Sequence, residues 1–230
     1  MYATLPLGRL VSVLVWPFGL ILVGLIAFWQ FPASPLAWIR TIGTAATIWA
    51  LALLLLAGSS GRFAPWRVLW HWFPVFNRWF FPDLNGTWEG KTSSNWPVVK
   101  SMLDAATSAG GLDAATLETI PLQDDAITVT VKASLFYFRL TAKLSNTGGT
   151  SHSRTALVAK DPHHDGFQLQ YLFSQDTPDA GFTDDASHLG AVTADLDLDD
   201  WEMNGYYWTR RKWRAGLSTA GKLTLRRVAR

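Results

Sequence analysis

The stretch His188-Leu189-Gly190-Ala191-Val192-Thr193-Ala194-Asp195-Leu196-Asp197-Leu198-Asp199-Asp200-Trp201-Glu202-Met203-Asn204-Gly205-Tyr206-Tyr207-Trp208-Thr209 places apolar residues at alternate positions on both sides of an Asp-Asp pair. Alternation means period two, a strand with one face on a core. Asp199-Asp200 is too short a link for anything but an antiparallel hairpin. Working outward, the same alternation predicts eight strands, at 85–93, 126–133, 135–144, 151–160, 167–174, 188–198, 201–211 and 221–228. Asn146-Thr147-Gly148-Gly149 and Asp161-Pro162-His163-His164-Asp165-Gly166 read as turns. An insertion at 98–119 reads as one or two short helices covering a barrel opening or edge. Eight short antiparallel strands in sequence suit an up-and-down β-barrel able to hold one small ligand, with a β-sandwich as the alternative. Gly86-Thr87-Trp88 resembles the opening of lipocalin- and avidin-like barrels, where the Trp plugs the closed end.

The N-terminal quarter reads differently. Residues 10–57 hold a single charge, Arg40. Residues 10–29 and 41–57, the latter extended back through 36–39, are each long enough to span a ~30 Å hydrocarbon core. The first run is too long for a signal peptide and a second follows at once. Arg9 precedes the pair and Arg62, Arg67 and Arg78 follow it, so the positive-inside rule puts both termini in the cytoplasm. Between residues 62 and 82 Trp and Phe alternate with Arg, which suits an interfacial linker at the headgroup layer; a buried packing helix is the alternative. The expected organisation is a two-span hairpin (1–61), a Trp-rich linker (62–82) and a ligand-sensing barrel (83–230).

The chain of 230 residues contains no Cys, which excludes disulfides and thiolate chemistry. A net charge of +2 does not call for a nucleic-acid polymer, although basic residues cluster after position 209. No nucleotide-binding P-loop, nucleophile elbow or zinc-protease motif is present, and no cofactor is expected. Asp195, Asp197, Asp199 and Asp200 read as a solvated edge, and His163-His164 as a solvated turn pair. The domain therefore reads as a binder without catalytic or metal-ligating residues.

Strand parity locates the binding end. If the chain runs up and down from Trp88, one mouth collects Thr92, Ser151, Ser153, Tyr171, Gln175, His188, Tyr207, Thr209 and Arg211. The other collects Trp88, Phe136, Phe167, Leu198 and Trp201. Convergent polar groups over an apolar cup are what a ligand site needs. Tyr rings can stack on a base, and an Arg can pair a phosphate bidentately.

Two spans followed by Leu84-Asn85-Gly86-Thr87-Trp88-Glu89-Gly90, Ser151-His152-Ser153, Tyr171-Leu172-Phe173, His188-Leu189-Gly190 and Gly205-Tyr206-Tyr207-Trp208-Thr209-Arg210-Arg211 resemble the two-transmembrane, β-strand-rich effectors encoded beside bacterial cGAS-like nucleotidyltransferases, the CBASS effectors. The resemblance implies an anti-phage effector whose eight-stranded barrel binds a cyclic dinucleotide or related cyclic oligonucleotide. It also implies homo-oligomerisation on the signal and disruption of the lipid bilayer, causing abortive infection. Ser151, Ser153, Tyr171, His188, Tyr207, Thr209 and Arg211 are the positions that match the family's pocket. Ser174-Gln175-Asp176-Thr177-Pro178 departs from the family's Tyr-x-Asn-x-Pro run. A membrane-tethered carrier or scaffold for an apolar ligand is the alternative reading.

Overall fold

The fold comes from a computed structural model that describes residues 2–3, 7–29, 31–57, 64–108, 111, 113–134, 137–146, 148–161 and 166–229. Gln30, Arg62, Gly110, Leu135, Phe136, Thr147, the 162–165 turn with His163 and His164, and Arg230 lie outside the described residues. The chain forms two compact units: Ala3–Asp83 with residues 134–136, and Leu84–Ala133 with residues 137–230 and the first two residues.

In the helical unit, α1 (Leu7–Trp29) and α2 (Pro35–Ala57) pack as a hairpin. The start of α2 is set by Ser34, whose Oγ accepts from Ala37 N–H at 3.2 Å, and by Pro35, whose fixed φ suits the first helical position. Its segment Pro35–Leu54 is long and apolar enough to cross a membrane; the apolar part of α1, Val15–Trp29, is shorter. The hydroxyls of Thr41, Thr44 and Thr47 donate to the carbonyls of Ala37, Arg40 and Gly43, at 2.9, 2.9 and 2.8 Å. These three hydroxyls are thus satisfied within the helix. Trp16, Leu20, Phe28, Ile39 and Leu54 are exposed.

The Trp-rich segment forms α3 (Pro65–Trp72) and α4 (Phe76–Trp79). Half of it is a packed knot rather than a surface. Trp66, Trp70 and Phe81 are buried against one another, with centroids 4.9 to 5.7 Å apart. Trp70 Nε1 donates to Phe81 O at 2.8 Å, and buried Arg67 pairs with buried Asp83 at 2.9 Å. Trp72 and Trp79 are exposed, at 71% and 67%.

The second unit is a closed eight-stranded antiparallel barrel. Its strands are β1 (Gly86–Ser94), β2 (Gln123–Ala133), β3 (Phe138–Leu144), β4 (Thr150–Lys160), β5 (Phe167–Asp176), β6 (Ser187–Asp197), β7 (Glu202–Thr209) and β8 (Ala220–Ala229). Each pairs with the next, and β8 returns to β1, which rules out the sandwich. Helices α5 (Trp96–Thr107) and α6 (Ala114–Leu117) form the insertion after β1. The seventh predicted strand is shorter than expected. Trp201 and Arg211 fall outside β7, and so does Leu198 outside β6. Asp197 Oδ1 accepts from the N–H groups of Asp199 and Asp200, at 2.8 and 3.3 Å, which turns the chain there.

The inward positions are those of the alternation: Trp88, Val129, Val131, Leu140, Phe167, Leu169, Met203, Leu223 and Leu225 are buried. Two departures matter. The β4–β5 register shifts between Ser153 and Thr155, a bulge that moves the buried positions to Ala156 and Val158. And among the described residues the β3–β4 ladder has only the rungs Thr141–His152, Ala142–Ser151 and Lys143–Thr150. Gly205 is needed for close packing: a Cβ there would stand 2.0 Å from Thr193 O.

Candidate functional site

At the mouth where β1, β3, β5 and β7 end, the barrel encloses a cavity of about 210 Å³. Period two explains its lining. Successive inward residues near the strand ends bring Thr92 from β1, Tyr171, Phe173 and Gln175 from β5, and Tyr207 and Thr209 from β7 to one space. The starts of the descending strands add Ser151 and His188. Ser151, Gln175 and His188 lie on one rung across β4, β5 and β6, and Tyr171, Val192 and Tyr207 on another.

Of the nine residues predicted for the site, Thr92, Ser151, Tyr171, Gln175, His188, Tyr207, Thr209 and Arg211 line the cavity. Ser153 does not. Its Oγ accepts from Leu140 N–H at 2.9 Å and so completes the wall where the β3–β4 rungs stop. Thr209 is also committed locally, with Oγ1 2.9 Å from Thr219 Oγ1 and accepting from Thr219 N–H at 3.1 Å. Other lining residues went unpredicted: Ser94, Trp96, Gln123, Asp125, Asp184 and Thr219 among them. Gln123 and Asp125 keep the parity of Ile127, so starting β2 three residues earlier would have found them. Trp96 and Asp184 sit in connections, where no periodicity points inward.

Trp96 is held at the rim by its neighbours. Ser94 Oγ accepts its N–H at 3.1 Å, and Asn95 ties to Ala220 through both its backbone N–H and its Oδ1, each at 2.9 Å. Over the Trp96 ring, 4.6 Å from its centroid, lies the Arg211 guanidinium. Arg211 Nη1 stands 3.6 Å from Asp184 Oδ2. Its Nε and Nη2 are buried and have no hydrogen-bond partner. These two N–H groups form one edge of the planar guanidinium, the edge that meets a phosphate or carboxylate two-to-two.

His188 is buried beside them. Its Nδ1 has no hydrogen-bond partner and lies 4.0 Å from Asp184 Oδ1. Burial holds the imidazole below its ordinary pKa, Asp184 opposes that, and the charge of Arg211 reinforces it. Burial pushes the phenol of Tyr171 up. The Tyr207 phenol is also pushed up, first by burial, against a hydrogen bond with Ser94 and the charge of Arg211. Both rings are neutral at ordinary pH, apolar faces with a hydroxyl at one end. The site therefore offers an apolar, aromatic floor, several hydroxyl and amide groups, and one guanidinium edge with nothing to bind.

No protein-family model matches the chain. Over 166 residues, 69% of this chain and 70% of the relative, it is 30% identical to CD-NTase-associated protein 15 of Escherichia albertii. The chain belongs to the CD-NTase-associated protein 15 family. That membership agrees with the CBASS effectors its motifs resemble and supports a role in anti-phage defence.

Proposed function

We propose that this chain is a membrane-anchored CBASS effector whose barrel binds a cyclic di- or oligonucleotide. On this reading α1 and α2 both cross the bacterial inner membrane, both termini are cytoplasmic, and occupancy of the barrel drives self-association that disrupts the bilayer. The observation that carries the ligand is the unpaired Nε–Nη2 edge of Arg211, buried against Trp96 beside two Tyr rings. A buried donor without an acceptor costs about 1–3 kcal/mol, and an anion at this edge removes that cost. Tyr171 and Tyr207 supply faces for a base. The exposed apolar surfaces of α1 and α2 and the internally bonded Thr hydroxyls suit a lipid environment. For a ligand to promote assembly, the assembled state must bind it more tightly.

Calorimetry of the full chain in detergent against cyclic di-AMP, cyclic di-GMP, cyclic GMP–AMP and cyclic tri-AMP tests the reading. At least one should bind, and light scattering should show a mass increase on its addition. No heat from any of the four overturns it. The apolar floor at Phe173, Val192 and Leu223 favours one rival, a carrier for an apolar molecule. That rival predicts lipid copurifying in the barrel and no response to nucleotides.

A further inference from the structure

We infer that His188 is a proton-linked specificity residue of this site: as a phosphate docks on Arg211, the neutral imidazole takes up one proton from solvent and becomes the second cation facing the ligand. The inference rests on the cyclic-nucleotide reading above. Its geometric basis is one carboxylate placed between two bases and properly bonded to neither. Asp184 stands 3.6 Å from Arg211 Nη1 and 4.0 Å from His188 Nδ1. The His188 side chain is 3% exposed. A buried ring nitrogen left unpaired is a cost that folding alone does not explain. The remaining charged neighbour is Asp185: its backbone hydrogen-bonds the imidazole and its charge favours protonation, while its carboxylate is held by Lys212 through the backbone N–H at 2.8 Å and Nζ at 3.4 Å. Gln175, paired with His188 across the β5–β6 ladder, is neutral.

The charge balance sets the direction. Around His188 the Asp184 carboxylate and the Arg211 guanidinium cancel, as do Asp185 and Lys212, and Asp125 of β2 adds a further carboxylate to the cavity lining. A phosphodiester on the Nε–Nη2 edge leaves one negative charge in excess beside an imidazole whose protonation the free guanidinium opposed. That excess favours the imidazolium. A neutral ligand brings no such excess, so His188 adds to affinity only for anions. Between the pKa of the empty and of the occupied state, affinity should rise as pH falls, by up to about tenfold per pH unit.

The experiment is calorimetry of the full chain at pH 7 with cyclic di-AMP, or the panel member that binds best, in two buffers of unlike ionisation enthalpy, neither containing phosphate. The expected result is uptake of a substantial fraction of one proton per ligand. His188→Gln should abolish the uptake and flatten the pH dependence. Asp184→Asn, which keeps the imidazole but removes the carboxylate whose charge the docked phosphate leaves in excess, should sharply reduce the uptake. Binding with no proton uptake, undiminished uptake in His188→Gln, or undiminished uptake in Asp184→Asn each overturns the inference and leaves the nucleotide reading standing. Absence of binding by every nucleotide overturns both.

Discussion

The two ends of the barrel each place an arginine on a tryptophan, and the two arginines are treated in opposite ways. At the closed end Arg227 lies 4.5 Å above Trp201 and 5.6 Å from Trp88, and its Nη2 donates to Asn85 O. At the mouth Arg211 lies 4.6 Å from Trp96, but its Nε and Nη2 meet no acceptor. Stacking of this kind is worth about 0.5–2 kcal/mol in either place. What differs is how much of the guanidinium edge meets an acceptor. Arg227 Nη2 meets the Asn85 carbonyl, whereas neither nitrogen of the Arg211 Nε–Nη2 edge meets one. The closed end draws an acceptor from its own backbone; the mouth leaves the whole edge to be filled from outside.

The largest effect is expected at the plug. Trp88 is fully buried, and Trp88→Ala should cost about 3–5 kcal/mol, read as a large fall in the thermal midpoint of the soluble signal. A loss under ~1 kcal/mol would mean that the closed end is not where the fold is secured. Arg211→Ala should behave conversely. Binding should weaken by about 2–4 kcal/mol, roughly 30- to 1,000-fold, as for a central interface arginine. The thermal midpoint should hold or rise, because unpaired buried donors are removed. A variant that binds normally but melts early would make Arg211 a second plug.

Two smaller effects sharpen the contrast. Ser153→Ala should cost about 1 kcal/mol of stability by stripping Leu140 N–H of its acceptor, with nucleotide affinity unchanged. A loss of affinity would return Ser153 to the cavity. In the free protein the pKa of His188 is held down by burial, so below the ordinary histidine range the unfolded chain binds more protons than the folded one. Stability should therefore fall as pH drops from about 6.5 toward the folded-state value, and His188→Gln should remove that part of the slope. A slope identical in the variant would place the titration elsewhere.

The sequence carried the barrel because the barrel is built from a repeat that sequences write openly. Alternation at 167–173 and 192–203 puts the apolar residues on the face the structure buries, apart from Leu172, which points outward, and Leu198 and Trp201, which the turn takes out of the strands. It carried most of the mouth for the same reason, since Thr92, Tyr171, Tyr207 and Thr209 sit at even spacing from core residues. It failed where the period stops. The bulge after Ser153 inverts the parity of β4, and nothing in Ser151-His152-Ser153-Arg154-Thr155 marks which residue is the extra one. Asp184 reaches Arg211 from an irregular connection, and Trp96 from the first residue of α5, so their positions depend on tertiary geometry alone. The Trp-rich segment was legible as aromatic, with an interfacial and a buried reading both open, and the structure takes part of each: Arg67 finds Asp83, sixteen residues on, in the half that is packed as a knot.

Among the described residues three rungs join β3 to β4, which gives the cylinder a lap joint shorter than its others. Two of the residues on those rungs, Ala142 and Ser151, also line the cavity. A molecule seated against both bridges the joint from within, as a rivet does through two overlapping plates. Filling the cup would then also close the wall, in a single mechanical event.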